Sequence, residues 1–153
     1  MRKQAAADQI HGLEIPTSGL SLFLPSATIA EIVNVGALTA VPFAPPWLLG
    51  VLGWRTVAVP VVSFEALLGG AVTAPRPQSK VVVLYPLRGR PDWEFTGILT
   101  AAEPRPHMVQ PATTAAASAD ELPVTPYLAA GIRLNDRLFG IPDLDRLRQA
   151  YYP

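Results

Sequence analysis

Cysteine is absent from the 153-residue chain, which removes disulfide frameworks, thiolate metal sites and cysteine nucleophiles together. That fits a reducing cytoplasm, the expected location. Charge is scarce too: 16% of residues are charged, and twelve cations balance twelve anions. A net charge of zero leaves no electrostatic footprint for nucleic acid or anionic lipid. Partners are therefore expected to be recognised by shape and apolar contact. Groups that catalyse are few. No GxSxG elbow, GxxxxGK[ST] loop or GxGxxG turn occurs, and His11 and His107 lack both HExxH spacing and co-ligands. Asp143 and Asp145 resemble a carboxylate pair, but their place at a helix start makes capping the better reading. No catalytic residue, metal or cofactor is expected.

Targeting signals are missing as well. The start MRKQAAADQIHG is basic, yet Asp8 arrives before any apolar h-region, so residues 1–11 read as a tail, with the domain from residue 12 to 153. Residues 32–54 form an uncharged run long enough to span a bilayer. Pro42, Pro45 and Pro46 would break the helical ladder such a span needs, and Gly36, Gly50 and Gly53 weaken it. Direct membrane insertion is not expected.

What is present is short, apolar and punctuated. Residues 20–24 (LSLFL), 56–62 (TVAVPVV), 80–85 (KVVVLY), 95–100 (FTGILT) and 131–134 (GIRL) are rich in β-branched or aromatic residues and bounded by Gly, Pro or polar residues. They predict strands, and residues 10–15 are expected to pair with 20–24 across Thr17-Ser18-Gly19. Many short strands suggest a barrel or sandwich, and the 17 prolines agree, because proline is tolerated at strand ends and bulges but not inside long helices. Pro60 lies within a strand pattern, which predicts an edge strand or a bulge there. Turns are expected at Arg88-Gly89-Arg90-Pro91 and Asn135-Asp136.

Helix is confined to two places. Ser63 can cap a single turn over SFEALL that Gly69-Gly70 stops, and Asp143 can cap DLDRLRQAY, whose Leu144, Leu147 and Tyr151 fall on one face. Residues 111–126 read as a loop with one turn begun by the Ser118-x-x-Glu121 capping box. No internal repeat is strong enough to use.

The stretch from Val41 to Gly70, VPFAPPWLLGVLGWRTVAVPVVSFEALLGG, carries only two charges, Arg55 and Glu65. A lone guanidinium is costly to bury unpaired, so Arg55 reads either as a contact on a surface that a partner covers or as a member of an internal pair with Glu31 or Glu65. Trp47, among Leu48, Leu49 and Val51, reads as core. Trp54 reads equally as core or as an interface anchor. Arg88 and Arg90 beside Trp93 offer the cation and aromatic that clamp single-stranded nucleic acid, but Asp92 and Glu94 cancel the charge. A small β-barrel that binds a small ligand or nucleic acid stays as the alternative on residues alone.

The same stretch resembles the signature of CheW-like coupling proteins of bacterial chemosensory arrays, with Pro42, Pro45, Gly50, Val51, Arg55 and Pro60 on the family spacing. Phe23-Leu24-Pro25 leading into Ala30-Glu31-Ile32-Val33 is similar to the family's strand and V-x-E-I/V element. Residues 127–147 resemble its closing strands and terminal helix, with Asp143 on the late aspartate. Thr56 stands where the family has glycine, Ser63 where it has aspartate, and Ala101 where it is often acidic. The Trp54-Arg55 pair is similar to divergent members of pilus-linked, twitching-motility systems. The resemblance implies an all-β fold of two interleaved five-stranded SH3-like barrels with a short C-terminal helix. It also implies a non-enzymatic adaptor that couples a chemoreceptor signalling tip to the regulatory domain of a CheA-type histidine kinase. Its partner-binding residues would be Arg55, Trp54, Glu31, Ile32 and Val33.

Overall fold

Two sheets share the chain, one nested inside the other. The computed structural model describes residues 10–72 and 74–153. Its strands are β1 (Ile10–Ile15), β2 (Leu22–Pro25), β3 (Ile29–Asn34), β4 (Leu48–Trp54), β5 (Val57–Val62), β6 (Lys80–Leu84), β7 (Thr96–Leu99), β8 (Arg105–Val109), β9 (Thr114–Ala116), β10 (Leu128–Leu134) and β11 (Arg137–Pro142). The helices are α1 (Phe64–Leu67) and α2 (Leu144–Tyr151). One sheet has the order β8-β1-β2-β11-β10-β9, the other β3-β6-β7-β5-β4. Each belongs to one SH3-like subdomain. The chain opens the outer sheet with β1 and β2, completes the nested sheet with β3 to β7, and returns to finish the outer one.

Alternation explains why the apolar strands are so continuous, since a strand buried on both faces has no polar side to show. On β6, Val82 and Leu84 enter a core shared between the subdomains, while Val81 and Val83 point into the nested subdomain with Leu52, Val59 and Val61. On β2, Leu22 and Leu24 enter the shared core and Phe23 turns into the outer subdomain, against Phe139 and Leu134. Each fully buried side chain of this kind is worth about 1.5–3 kcal/mol of transfer free energy. The shared core is therefore what fixes one subdomain to the other.

The predicted strands all form, and the expected β1–β2 pairing is present, with Leu13 opposite Leu24. Strand β1 starts at Ile10, inside the segment read as tail. The rest of that reading lies outside the described residues. Both helices are capped as expected: Ser63 Oγ accepts from Ala66 N at 3.3 Å, and Asp143 Oδ1 accepts from Arg146 N at 3.1 Å. Trp47 packs on the shared core, edge to face with Tyr151 at 6.0 Å.

Three readings change. Strand β5 is not an edge strand, for it lies between β7 and β4. Its ladder with β7 is recorded only at Val61 and Val62, so Pro60 falls outside those pairs and its missing N–H costs that ladder nothing. The bulge sits instead on β4, between Leu48 and Gly50. The segment read as a loop at 111–126 contributes β9, a sixth strand for the outer sheet, ahead of the expected Ser118–Glu121 capping box.

The third change is a repeat that identity does not show. Shifting the chain by 80 residues places Trp47 on Tyr127 and Ser63 on Asp143. Ser63 N donates to Trp47 O at 2.8 Å, and Asp143 N donates to Tyr127 O at 2.8 Å. The same shift carries the β4 bulge onto a bulge between Leu128 and Ala130, and the Arg55-Thr56 turn onto Asn135-Asp136. Strand β5 runs parallel to β7 as β11 runs parallel to β2. Over residues 47–67 only Leu48 and Leu67 meet an identical residue, Leu128 and Leu147, which is why the repeat escapes a reading by residue identity.

Candidate protein-interaction site

The hairpin between β4 and β5 sets the site. Arg55 and Thr56 occupy its two turn positions with φ of 44° and 63°, the left-handed geometry that suits the twist of a two-residue hairpin and normally selects Gly, Asn or Asp. Trp54 and Val57 are the last pair below the turn. From this turn the Arg55 side chain lies over Trp54, with its guanidinium carbon 4.9 Å from the ring centroid.

Strand β3 supplies the second half. It is at the far edge of the nested sheet from β4, yet Arg55 Nη2 donates to Glu31 Oε1 at 2.6 Å. The pair thus links the two edges. Arg55 is 69% exposed and Glu31 37%, so high dielectric and salt keep the pair worth about 0–1 kcal/mol. Arg55 is therefore exposed and at the same time paired with Glu31. Glu65 is engaged elsewhere, accepting from Ser18 N at 3.0 Å and from Ser63 Oγ at 3.2 Å.

Trp54 is half-buried. Its ring meets Phe95 edge to face at 4.8 Å and packs on the nested core, and Arg55 lies over it. Its indole N–H is buried without an acceptor among the described residues. Ile32 is exposed beside Glu31, and Val33 packs against the nested core. Arg55, Trp54 and Glu31 are therefore brought together, Val33 packs on the nested core, and Ile32, alternating with them, is exposed on the opposite face of β3.

The arginine-tryptophan hairpin at 88–94 is organised differently. Arg90 Nε and Nη2 donate to the two oxygens of buried Glu94 at 2.9 and 2.7 Å. That hydrogen-bonded fork, more than the attraction of charge, holds the Glu94 carboxyl below its ordinary range. Arg90 is committed within the chain, which removes a cation from any phosphate-binding patch.

One polar cluster has no counterpart in the sequence reading. Glu14, 4% exposed on β1, receives Arg137 Nη1 and Nη2 at 3.2 and 2.8 Å and lies 2.7 Å from His107 Nε2. Arg137 also covers the Phe139 ring at 4.9 Å. Burial pulls the Glu14 carboxyl up, but hydrogen bonds and charge from Arg137 and His107 outweigh it and hold the group below its ordinary range. The three residues come from β1, β8 and β11, so no local spacing could announce them. The one available signal was Glu14 set between the apolar Leu13 and Ile15.

No match is found among curated proteins. A crystal structure of the scaffolding protein TtCheW from Thermoanaerobacter tengcongensis superposes with a TM-score of 0.71 at 15% identity, covering 88% of this chain and 84% of that one. At that identity the likeness speaks for the fold alone. The CheW-like domain family model matches residues 12–151, and the chain therefore belongs to the CheW-like domain family.

Proposed function

We propose that this chain is a non-enzymatic cytoplasmic adaptor that couples chemoreceptors to a CheA-type histidine kinase, in a chemosensory system of the pilus-linked kind. The observation that carries the reading is the Arg55–Glu31 pair standing exposed on Trp54 at the rim of a rigid barrel. Arg55 spends one hydrogen bond on Glu31, and the remaining donors of its fork face solvent, where a partner's carboxylate or carbonyl can take them. Ile32, exposed on the other face of the same edge strand, offers a separate apolar contact. Family membership supports the same reading, as does the stiffness of a shared core that keeps the two subdomains in one geometry.

Coupling asks only for binding and fixed interface geometry, and an interface of standard size, about 1,600 Å² in total, would extend well past these residues. The kinase's regulatory domain and the receptor's signalling tip are the partners proposed. The test is size-exclusion chromatography of the chain with each fragment at about 50 μM, well above the dissociation constant of a micromolar contact. Co-elution that Arg55→Glu removes supports the proposal, and separate elution of the chain from both fragments overturns it.

A further inference from the structure

The molecule makes one turn twice, and only one of the two copies uses residues suited to it. The repeat carries Arg55-Thr56 onto Asn135-Asp136, and each pair fills a two-residue hairpin, closed by Trp54 opposite Val57 in the first and by Leu134 opposite Arg137 in the second. The φ angles nearly coincide: 44° and 63° at Arg55 and Thr56, 49° and 67° at Asn135 and Asp136. Asn and Asp enter the left-handed region readily, because their short polar side chains bond locally. A β-branched residue there is an outlier. The fold therefore has a low-strain solution for this turn and uses it at 135–136 alone.

Local bonding widens the contrast. Asn135 N donates to Thr113 O at 3.1 Å and Arg133 Nη1 donates to Asp136 O at 3.0 Å, so the second turn is braced through its backbone. Among the described residues no side chain and no outside strand bonds the backbone of Arg55 or Thr56, and the first turn is held by the Arg55–Glu31 pair. Strain that neither turn geometry nor local bonding requires points to a residue kept for contact. Arg55 has that role in its guanidinium. Thr56 has none inside the chain: it is exposed, and its hydroxyl has no hydrogen-bond partner among the described residues.

We propose that Thr56 is a specificity-determining contact of the Arg55 site, its hydroxyl donating to the same acceptor-rich group of the partner, a carboxylate with a neighbouring carbonyl, that the free donors of Arg55 engage. A guanidinium fork and a hydroxyl on one two-residue tip offer donors side by side, a pattern that a carboxylate satisfies and that an apolar or cationic surface does not. This role presupposes the kinase or receptor coupling proposed for the chain, and adds to it a requirement for a hydroxyl at position 56.

Calorimetric titration of the full chain with the kinase regulatory-domain fragment and the receptor-tip fragment, beside a thermal melt, tests the contact in three variants. Thr56→Val keeps the shape and the strain but removes the hydroxyl. Thr56→Gly removes both hydroxyl and strain, and Thr56→Ser keeps the hydroxyl with less branching. For a fragment that binds the wild type, affinity should fall about fivefold or more in Thr56→Val and Thr56→Gly, as for one lost hydrogen bond, and Thr56→Ser should restore most of it. Thr56→Gly should bind more weakly while melting higher than wild type, a combination that a purely structural role does not produce. Affinity equal to wild type in Thr56→Val and Thr56→Gly, or a loss in Thr56→Ser as deep as in Thr56→Val, overturns the contact and leaves the coupling standing. A wild type that binds neither fragment overturns the coupling, and the contact with it.

Discussion

Arg137 grips Glu14 across 123 residues of sequence, placing both terminal guanidinium nitrogens on the two oxygens of a carboxylate that solvent barely reaches. The hairpin strand β11 is thereby locked to the first strand inside the outer subdomain, whose apolar core is small.

Acid should loosen that lock. Because the folded chain holds the Glu14 carboxyl below its ordinary value, the unfolded chain binds the proton first. The contribution to stability is then complete above about pH 4.3 and is lost as pH falls below that, through the folded value. Urea unfolding between pH 7 and pH 3 should show a falling midpoint, and Glu14→Gln should flatten that fall. An acid limb identical in the two proteins would show that other carboxylates carry it.

Arg55→Glu is expected to leave stability within about 1 kcal/mol of wild type, since an exposed pair contributes little. Partner affinity should fall by about 2 kcal/mol or more, close to thirtyfold, as for an arginine anchor. Calorimetric titration with the kinase regulatory domain, beside a thermal melt, separates the two effects. A large loss of stability would mean that the pair acts as architecture.

Thr56→Gly should stabilise the fold. A β-branched residue at φ of 63° carries strain that glycine lacks, partly offset by glycine's greater freedom when unfolded, for a net gain of about 0.5–1 kcal/mol. Differential scanning calorimetry would register that as a rise of about 1–4 °C. A lower melting temperature would show that the Thr56 side chain is needed at the turn.

Gly50→Ala should do the opposite. Gly50 has φ of 151°, and an added Cβ would lie 2.8 Å from the Thr39 carbonyl oxygen, where Thr39 and Val51 exchange hydrogen bonds. That oxygen is backbone and cannot swing aside. A cost of about 2–3 kcal/mol is expected from strain and overpacking, measurable by urea unfolding. An unchanged midpoint would show that the bulge yields freely.

Strand type, the two helix caps and the β1–β2 hairpin were legible because their signals are local: β-branched runs, Ser63 and Asp143 ahead of apolar spacing, a small-residue turn. Strands β3, β4 and β8 were harder to read from pattern. Glycine interrupts β4, proline enters β8, and edge strands such as β3 mix exposed and half-buried positions, so alternation is weak. Arg55 stood out by isolation among apolar neighbours, yet choosing Glu31 over Glu65 required knowing that two sheet edges approach each other. Glu14, His107 and Arg137 meet only through tertiary structure. The 80-residue repeat is written in hydrogen bonds and bulges, which tolerate many side chains.

Nesting has a consequence for how the molecule is made. Residues 29–99 complete one barrel before the strands that finish the other have been synthesised, so β1 and β2 leave the ribosome without their lateral neighbours β8 and β11. Leu13, Ile15, Leu22 and Leu24 belong to the core shared with Val62, Val82 and Ile98, so the waiting hairpin finds cover on the newly closed barrel. The C-terminal third then assembles onto an existing platform, which assigns the early-made half the role of template for the late one.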